Sequence, residues 1–152
     1  MSFRLKYPKN LEFQINAKWD GQLGGIVEAK QGYHLKFDIP HTFGGPGQAF
    51  CPDELFLASI AGCLLNTFLH FQERIELEMK AFLIQVGAEV EFERDKYRII
   101  KIKVDGTLTI KEGNEDLGTK CLQLAKDYCH ISRSLTPCIP IEYHIGIESA
   151  PK

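Results

Sequence analysis

The feature that most constrains the fold is a long uncharged stretch in the middle of the chain. No charged residue occurs from Leu55 to Phe71, and the apolar residues of that stretch fall on every side of a helical wheel. A helix of this kind is buried on all sides, so we expect a core helix around which the chain is organised. Pro52, Asp53 and Glu54 mark its start, because proline suits the first helical position and acidic side chains favour the positive end of the helix dipole.

About 20 residues of this character also match the length of a membrane span. The acidic first turn and several polar side chains favour a core helix instead; these side chains are Asn66, Thr67, His70 and Gln72. Cys63 lies in the middle of the helix. Its neighbours are small and leave room beside the sulfur; they are Ala58, Ser59, Ala61 and Gly62.

Composition is that of an ordinary globular protein. The chain has 152 residues, of which 44% are apolar and 25% charged, so we expect one domain spanning 1–152. A formal charge of -2 and scattered basic residues give no electrostatic footprint for nucleic acid. The segment Met1 to Leu11 has no apolar run typical of a signal peptide, so a cytoplasmic location is expected, with no membrane partner.

Alternating polar and apolar residues predict strands on both sides of the central helix. Before it, the segments 11–19, 24–29 and 33–39 predict a three-stranded antiparallel meander, followed by a glycine-rich loop at 41–47. After it, 82–92 and 100–110 predict a long hairpin whose acidic and basic side chains face each other across the strands.

A second helix and a final strand complete the predicted order. Asn114 is a suitable N-cap, and a helical stripe that includes Cys121 indicates a helix ending near 129–135. The segment 141–147 predicts the last strand. The fold class is therefore α+β with the order β-β-β-α-β-β-α-β.

The cysteines do not form a disulfide framework or a thiol-rich zinc module. There are five of them, an odd number, and none forms a C-x-x-C pair; they are Cys51, Cys63, Cys121, Cys129 and Cys138. In a reducing compartment each is by default a small buried hydrophobe. For Cys121, which lies in the helical stripe, this is the expected role.

Two motifs resemble a known family. The stretch from Pro52-Asp53-Glu54-Leu55 to Ala61-Gly62-Cys63 is similar to the first signature of the OsmC and Ohr family, the osmotically inducible and organic hydroperoxide resistance proteins. The later stretch Cys129-His130-Ile131-Ser132-Arg133-Ser134-Leu135 resembles the second. The likeness covers residues from about 11 to 148 and includes the order of strands and helices.

The resemblance implies a thiol-dependent peroxidase that works without a cofactor as an intertwined homodimer, with antiparallel sheets around the central helix. By that likeness Cys63 attacks an organic hydroperoxide and becomes a sulfenic acid, and Cys129 resolves it as a disulfide. An unidentified dithiol reductant then restores both thiols. The other three cysteines are structural in this interpretation.

One residue that the family typically uses is absent. A buried thiol needs a cation or a dipole to become a good nucleophile, and the family typically supplies an arginine from the N-terminal strands, held by a carboxylate. Asp53 occupies the position of the carboxylate, with Glu54 beside it, but no arginine occurs from Leu5 to Glu73. Candidate substitutes are Lys18, Lys30, His41 and, most favoured, Arg133.

Helix geometry limits how Asp53 and Cys63 cooperate. Ten residues along a helix correspond to about 15 Å and roughly 80° of rotation, so the two side chains of one chain cannot touch. A shared site therefore requires two central helices that pack antiparallel across a dimer. The alternative is that Asp53 and Glu54 only cap the start of the helix.

Two other functions remain open. The same dimer could bind an apolar small molecule with inert cysteines, which the missing arginine favours. A zinc site made of Cys63, His70, Cys129 and His130 has suitable ligand types but lacks the usual close ligand spacing.

Overall fold

The structure, a computed structural model, describes residues 8–150 and divides into two compact units. The first is Met1–Pro52, described from residue 8, and the second is Asp53–Lys152, described to residue 150. The elements are β1 (Ile15–Trp19), β2 (Gly24–Ala29), β3 (His34–Asp38), a 3-10 turn (His41–Phe43), α1 (Pro52–Arg74), β4 (Met79–Glu93), β5 (Lys96–Lys111), α2 (Glu115–Tyr128), α3 (His130–Leu135) and β6 (Ile141–Ala150).

The first unit is the predicted antiparallel meander, with strand order β1-β2-β3. Its first turn depends on Asp20, whose carboxylate accepts a hydrogen bond from the Gln22 backbone N–H at 2.8 Å, and on Gly21, which has a φ of 88°. The expectation of a half-buried first strand is wrong for this chain, since every residue of β1 is exposed. Alternation showed which residues share a face but not what covers that face.

The second unit contains a mixed sheet with strand order β4-β5-β6. β4 and β5 form the predicted hairpin, which turns at Arg94 and Asp95, both with positive φ. The predicted cross-strand charge pairing is present, for example between Glu89 and Lys103. β6, however, pairs parallel to β5, so the expectation of purely antiparallel sheets is wrong for this strand.

Helix α1 begins at Pro52 as predicted, but it is not covered on all sides within this chain. Its fully buried residues are Ile60, Leu64 and Phe68, which form one stripe at spacings of four. Phe68 packs on Phe82 of β4 with ring centroids 4.6 Å apart. By length and composition α1 could also cross a membrane, with a mean hydropathy of 1.4 and 17% of that window buried. The buried stripe is the observation that favours a core helix.

The core of the second unit lies between its sheet and the helices. Alternate residues of β5 are fully buried: Ile102, Val104, Leu108 and Ile110. Helix α2 contributes Cys121, Leu122 and Ala125 to the same core. Cys121 is fully buried and its thiol donates to the Phe68 carbonyl at 3.5 Å, which confirms the prediction that it is a core residue.

The end of the second helix differs from the prediction. The segment expected to finish one helix is divided at Cys129, which has extended backbone (φ -64°, ψ 100°), and a separate six-residue helix follows as α3. The observed order is thus β-β-β-α-β-β-α-α-β. Asn114 caps α2 by position, although its side chain makes no capping hydrogen bond.

Candidate active site

Cys63 lies in the middle of α1, one position before the buried Leu64. Its side chain is therefore at the margin of the buried stripe and is partly exposed. The Thr67 hydroxyl donates to the Cys63 carbonyl at 2.7 Å, one helical turn along. A partly exposed thiol on a rigid helix can meet a small molecule from solvent while keeping a fixed position.

Cys129 lies at the break between α2 and α3. Its backbone N–H donates to Ala125 at 3.0 Å and ends α2, and its carbonyl accepts from the Arg133 N–H at 3.0 Å and begins α3. The side chain is fully buried, with Sγ 3.2 Å from Oγ of Ser132. The helix break thus fixes a second thiol in the core.

The two thiols belong to one cluster of side chains. The side chains of Cys63 and Cys129 are close enough to interact, and Nδ1 of His130 lies 3.7 Å from Sγ of Cys63. The hydroxyl of Ser132 links Cys129 to Tyr143 of β6, because it takes part in a hydrogen bond with each of them. We call these five residues the thiol cluster: Cys63, Cys129, His130, Ser132 and Tyr143.

The environment of Cys63 favours the neutral thiol. Burial raises the pKa of Cys63 above its ordinary value, and the neighbouring Cys129 raises it further. The Ile131 backbone N–H and the Thr67 side chain act in the opposite direction, and each lowers this pKa by less than burial raises it. None of these groups is a cation.

Tyr143 closes the cluster on the sheet side. Burial raises the pKa of Tyr143, while the hydrogen bond from Ser132 lowers it in part. The Nζ of Lys126, on α2, lies 5.1 Å from the centroid of the tyrosine ring. This cation–π contact places a positive charge beside the cluster but over the ring rather than on a sulfur.

Asp53 and Glu54 are not near Cys63 within one chain. Both are exposed in the first turn of α1, and the helix continues unbroken to Arg74, so the predicted separation of about 15 Å holds. Asp53 instead lines a groove of about 520 Å³. The other residues of the groove include Tyr97, Arg98 and the exposed Cys138.

The candidate cations are distributed over both units. Arg133 is exposed on α3, and it is not among the groups that shift the pKa of Cys63. Lys18, Lys30 and His41 belong to the first unit, where Nδ1 of His41 lies 3.0 Å from the Gly45 carbonyl oxygen. A role for any of them at Cys63 stays a prediction.

The alternative zinc site does not assemble in this chain. His70 is exposed and its ring packs edge-on against Phe71 at 5.3 Å, away from the contact between Cys63 and His130. Among residues 8–150, no group of three or more His, Cys, Asp and Glu side chains has a metal-binding arrangement. A site with soft ligands on zinc needs four.

Sequence reasoning missed Ser132 and Tyr143 as partners of the thiols. The signal for Ser132 was its spacing of three from Cys129, which places the two on one side of a helical turn. The signal was hidden because the segment was assigned to the end of α2. Tyr143 was predicted only as a strand residue, and its place beside Ser132 depends on the parallel pairing of β6.

Comparison with protein families identifies one family for this chain. The family described as OsmC-like protein matches residues 45–144. A curated relative, the uncharacterised protein YmaD of Bacillus subtilis (strain 168), is 23% identical over 141 residues, which are 90% of this chain and 94% of that protein.

Solved structures share the fold at low sequence identity. An OsmC-like protein of unknown function from Vibrio cholerae has a TM-score of 0.77 at 14% identity, covering 90% of this chain and 99% of that one. An organic hydroperoxide resistance protein, OsmC, from Legionella pneumophila has a TM-score of 0.67 at 20% identity, covering 93% and 100% of the two chains.

Proposed function

Because the chain belongs to the OsmC-like protein family, we propose that it is a thiol-dependent peroxidase that reduces organic hydroperoxides. The observation that carries the proposal is the contact between the side chains of Cys63 and Cys129, which lie 66 positions apart in the sequence (129 minus 63). A partly exposed thiol beside a buried one is the arrangement that a peroxidatic and a resolving cysteine require.

The proposed reaction has three steps. The Cys63 thiolate attacks the distal oxygen of the hydroperoxide, the O–O bond breaks, and an alcohol leaves once its alkoxide has gained a proton. Cys63 is then a sulfenic acid, and the Cys129 thiol displaces its hydroxyl as water to form a disulfide. A dithiol donor finally reduces this disulfide through a mixed-disulfide intermediate, returning two thiols and becoming oxidised itself.

An organic substrate is favoured over hydrogen peroxide by the surroundings of Cys63. The helix on both sides of this residue has no Asp, Glu, Lys or Arg from Leu55 to Phe71, and most of its side chains are apolar. Apolar surface stabilises a bound alkyl group by about 25 cal/mol for each Å² removed from water, and hydrogen peroxide has no such group. The names of the Legionella protein and of an organic hydroperoxide resistance protein from Elizabethkingia anophelis point to the same substrate class.

We propose in addition that the active form is a homodimer. Large apolar side chains are exposed in both units, among them Phe13 at 85%, Trp19 at 70% and Leu83 at 73%. The uncovered sides of α1 and the exposed β1 need a partner surface, and a second copy supplies one of the same character. In such a dimer Asp53 of one chain can approach Cys63 of the other.

A non-enzymatic function is the second candidate. The raised pKa of Cys63 favours it, because a thiol that stays protonated at neutral pH reacts slowly with peroxide. In this case the dimer binds an apolar small molecule and all five cysteines are inert.

Titration of free thiols with cumene hydroperoxide separates the two candidates. The peroxidase predicts the loss of two thiols for each hydroperoxide consumed, and replacing Cys63 by Ser should abolish consumption. Cys138→Ser removes an exposed thiol outside the cluster and serves as the matched control, with unchanged stoichiometry. Thiols that persist in excess hydroperoxide would favour the binding function.

A further inference from the structure

We propose that His130 is the acid–base catalyst of this site: it takes the proton from Cys63 as the thiol attacks and returns it to the departing alkoxide. The inference rests on the proposed peroxidase function and adds to it a residue outside the pair of cysteines. It also means that Cys63 is activated by a residue of its own chain.

The geometry is that of a nucleophile and its base. Nδ1 of His130 lies 3.7 Å from Sγ of Cys63, within the range of a hydrogen bond to sulfur. His130 is the first residue of α3 and directly follows the buried Cys129, so its backbone is fixed by the helix break. The Ser134 hydroxyl, which donates to the His130 carbonyl at 2.8 Å, supports this position.

The ring is exposed, so it can reach a substrate as well as the thiol. In the neutral tautomer that carries its proton on Nε2, the Nδ1 atom that faces the sulfur accepts the proton of the thiol. A peroxide that approaches the partly exposed Cys63 arrives beside the same imidazole. One group can therefore serve both proton transfers.

The groups around Cys63 favour its protonated thiol, so attack on a peroxide needs a base. The titratable groups that face it are His130, Cys129 from the α2–α3 junction and, more distantly, Tyr143 from β6, with Lys126 of α2 over the tyrosine ring. Both Cys129 and burial favour the neutral Cys63 thiol. The imidazole of His130 is the side chain beside the sulfur that can accept this proton.

The proton balance of the first step follows directly. The Cys63 S–H bond breaks and its proton moves to Nδ1, while the sulfur electron pair attacks the distal peroxide oxygen and the O–O bond breaks. The alkoxide takes the proton from the imidazolium and leaves as an alcohol. The hydroperoxide proton remains on the sulfenic acid, and His130 is neutral again.

The test is the pH dependence of Cys63 alkylation by iodoacetamide, followed by peptide mass spectrometry so that each cysteine is measured separately. The wild-type rate should show a lower inflection that depends on His130, before the rise due to thiolate formation at higher pH. His130→Gln should lose the lower inflection and slow the reaction at pH 7 by about 10²-fold.

Two further variants complete the test. The control is His70→Gln, which changes an exposed histidine of α1 that packs on Phe71 and should keep the wild-type profile. Arg133→Met tests the competing prediction that Arg133 activates Cys63, and it should also keep the wild-type profile if His130 is the base. An unchanged profile in His130→Gln, or loss of the lower inflection in Arg133→Met alone, would overturn the proposal.

The alkylation assay uses no hydroperoxide, so it distinguishes this inference from the peroxidase function. A lower inflection that depends on His130, in a protein that consumes no cumene hydroperoxide, would support the inference and contradict the function. Full peroxide consumption by His130→Gln would support the function and contradict the inference. Circular dichroism of each variant confirms that the fold is retained.

Discussion

At the scale of single residues, the proposed reactivity depends on where the sulfur atoms of Cys63 and Cys129 lie. Cys63 is carried by an intact helix, whereas Cys129 is carried by a helix break and is fully buried. The hydroxyl of Ser132, itself 2% exposed, contacts both Cys129 and Tyr143. Cys129, which we propose as the resolving thiol, therefore has less freedom than Cys63.

Ser132→Ala should slow the resolution step and leave the first step unchanged. The variant removes a buried hydrogen-bonding partner of Cys129 and Tyr143, which we expect to lower the free energy of unfolding by about 1–3 kcal/mol. Stopped-flow measurement should show a normal rate of sulfenic acid formation and a slower conversion to disulfide. Thr119→Ala, which removes an exposed hydroxyl from α2, is the control, and equal slowing of both steps in Ser132→Ala would contradict the prediction.

At the scale of elements, the second unit depends on a close approach of β4 and β5 at Gly106. A Cβ at this position would lie 2.5 Å from the backbone carbonyl oxygen of Leu83, and a strand carbonyl cannot move without disturbing its ladder. A Cβ added at Gly146, in the neighbouring strand β6, would have no atom within 4 Å apart from its own residue and its chain neighbours. The two glycines make a matched pair.

Gly106→Ala should lower the free energy of unfolding by about 1–3 kcal/mol, the usual cost of overpacking. Gly146→Ala should change it by less than about 0.5 kcal/mol, as is usual for open surface positions. Urea unfolding of the two variants gives the comparison. Equal midpoints would show that the strands can separate at Gly106 without cost.

Some elements were predicted correctly from the sequence and others were not. Pro52, Asp53 and Glu54 fixed the start of α1, because helix starts have local chemistry. The parallel pairing of β6 had no such signal, since an alternating pattern fits a parallel or an antiparallel neighbour equally well. α3 is only six residues long, which is too short for helical periodicity to separate it from α2.

The candidate site was predicted only in part, because some of its contacts have no local signal in the sequence. Cys63 and Cys129 were paired by their resemblance to family motifs, and the structure brings the two thiols together. Ser132 and Tyr143 were missed, because their contacts depend on a helix break and on a strand pairing that are set by tertiary packing. His130 was considered only as a zinc ligand.

At the scale of the whole molecule, the distribution of exposed apolar side chains predicts a homodimer. Obligate interfaces bury more than about 2,000 Å² and resemble a core cut in two. Each unit exposes apolar side chains of that kind, the first on β1 and the second on α1. Light scattering at micromolar concentration should give about twice the chain mass of 17.2 kDa. A mass of one chain under these conditions would contradict the dimer and the approach of Asp53 to a second Cys63.

The measurement that tests the central claim most directly is a map of the disulfides formed with one equivalent of cumene hydroperoxide. We predict a single bond between Cys63 and Cys129 of the same chain, with Cys51, Cys121 and Cys138 still reduced. In Cys129→Ser, one equivalent should be consumed and Cys63 should remain a sulfenic acid, trapped by dimedone. A principal disulfide that contains Cys51 or Cys138, or no oxidation of Cys63, would contradict the account.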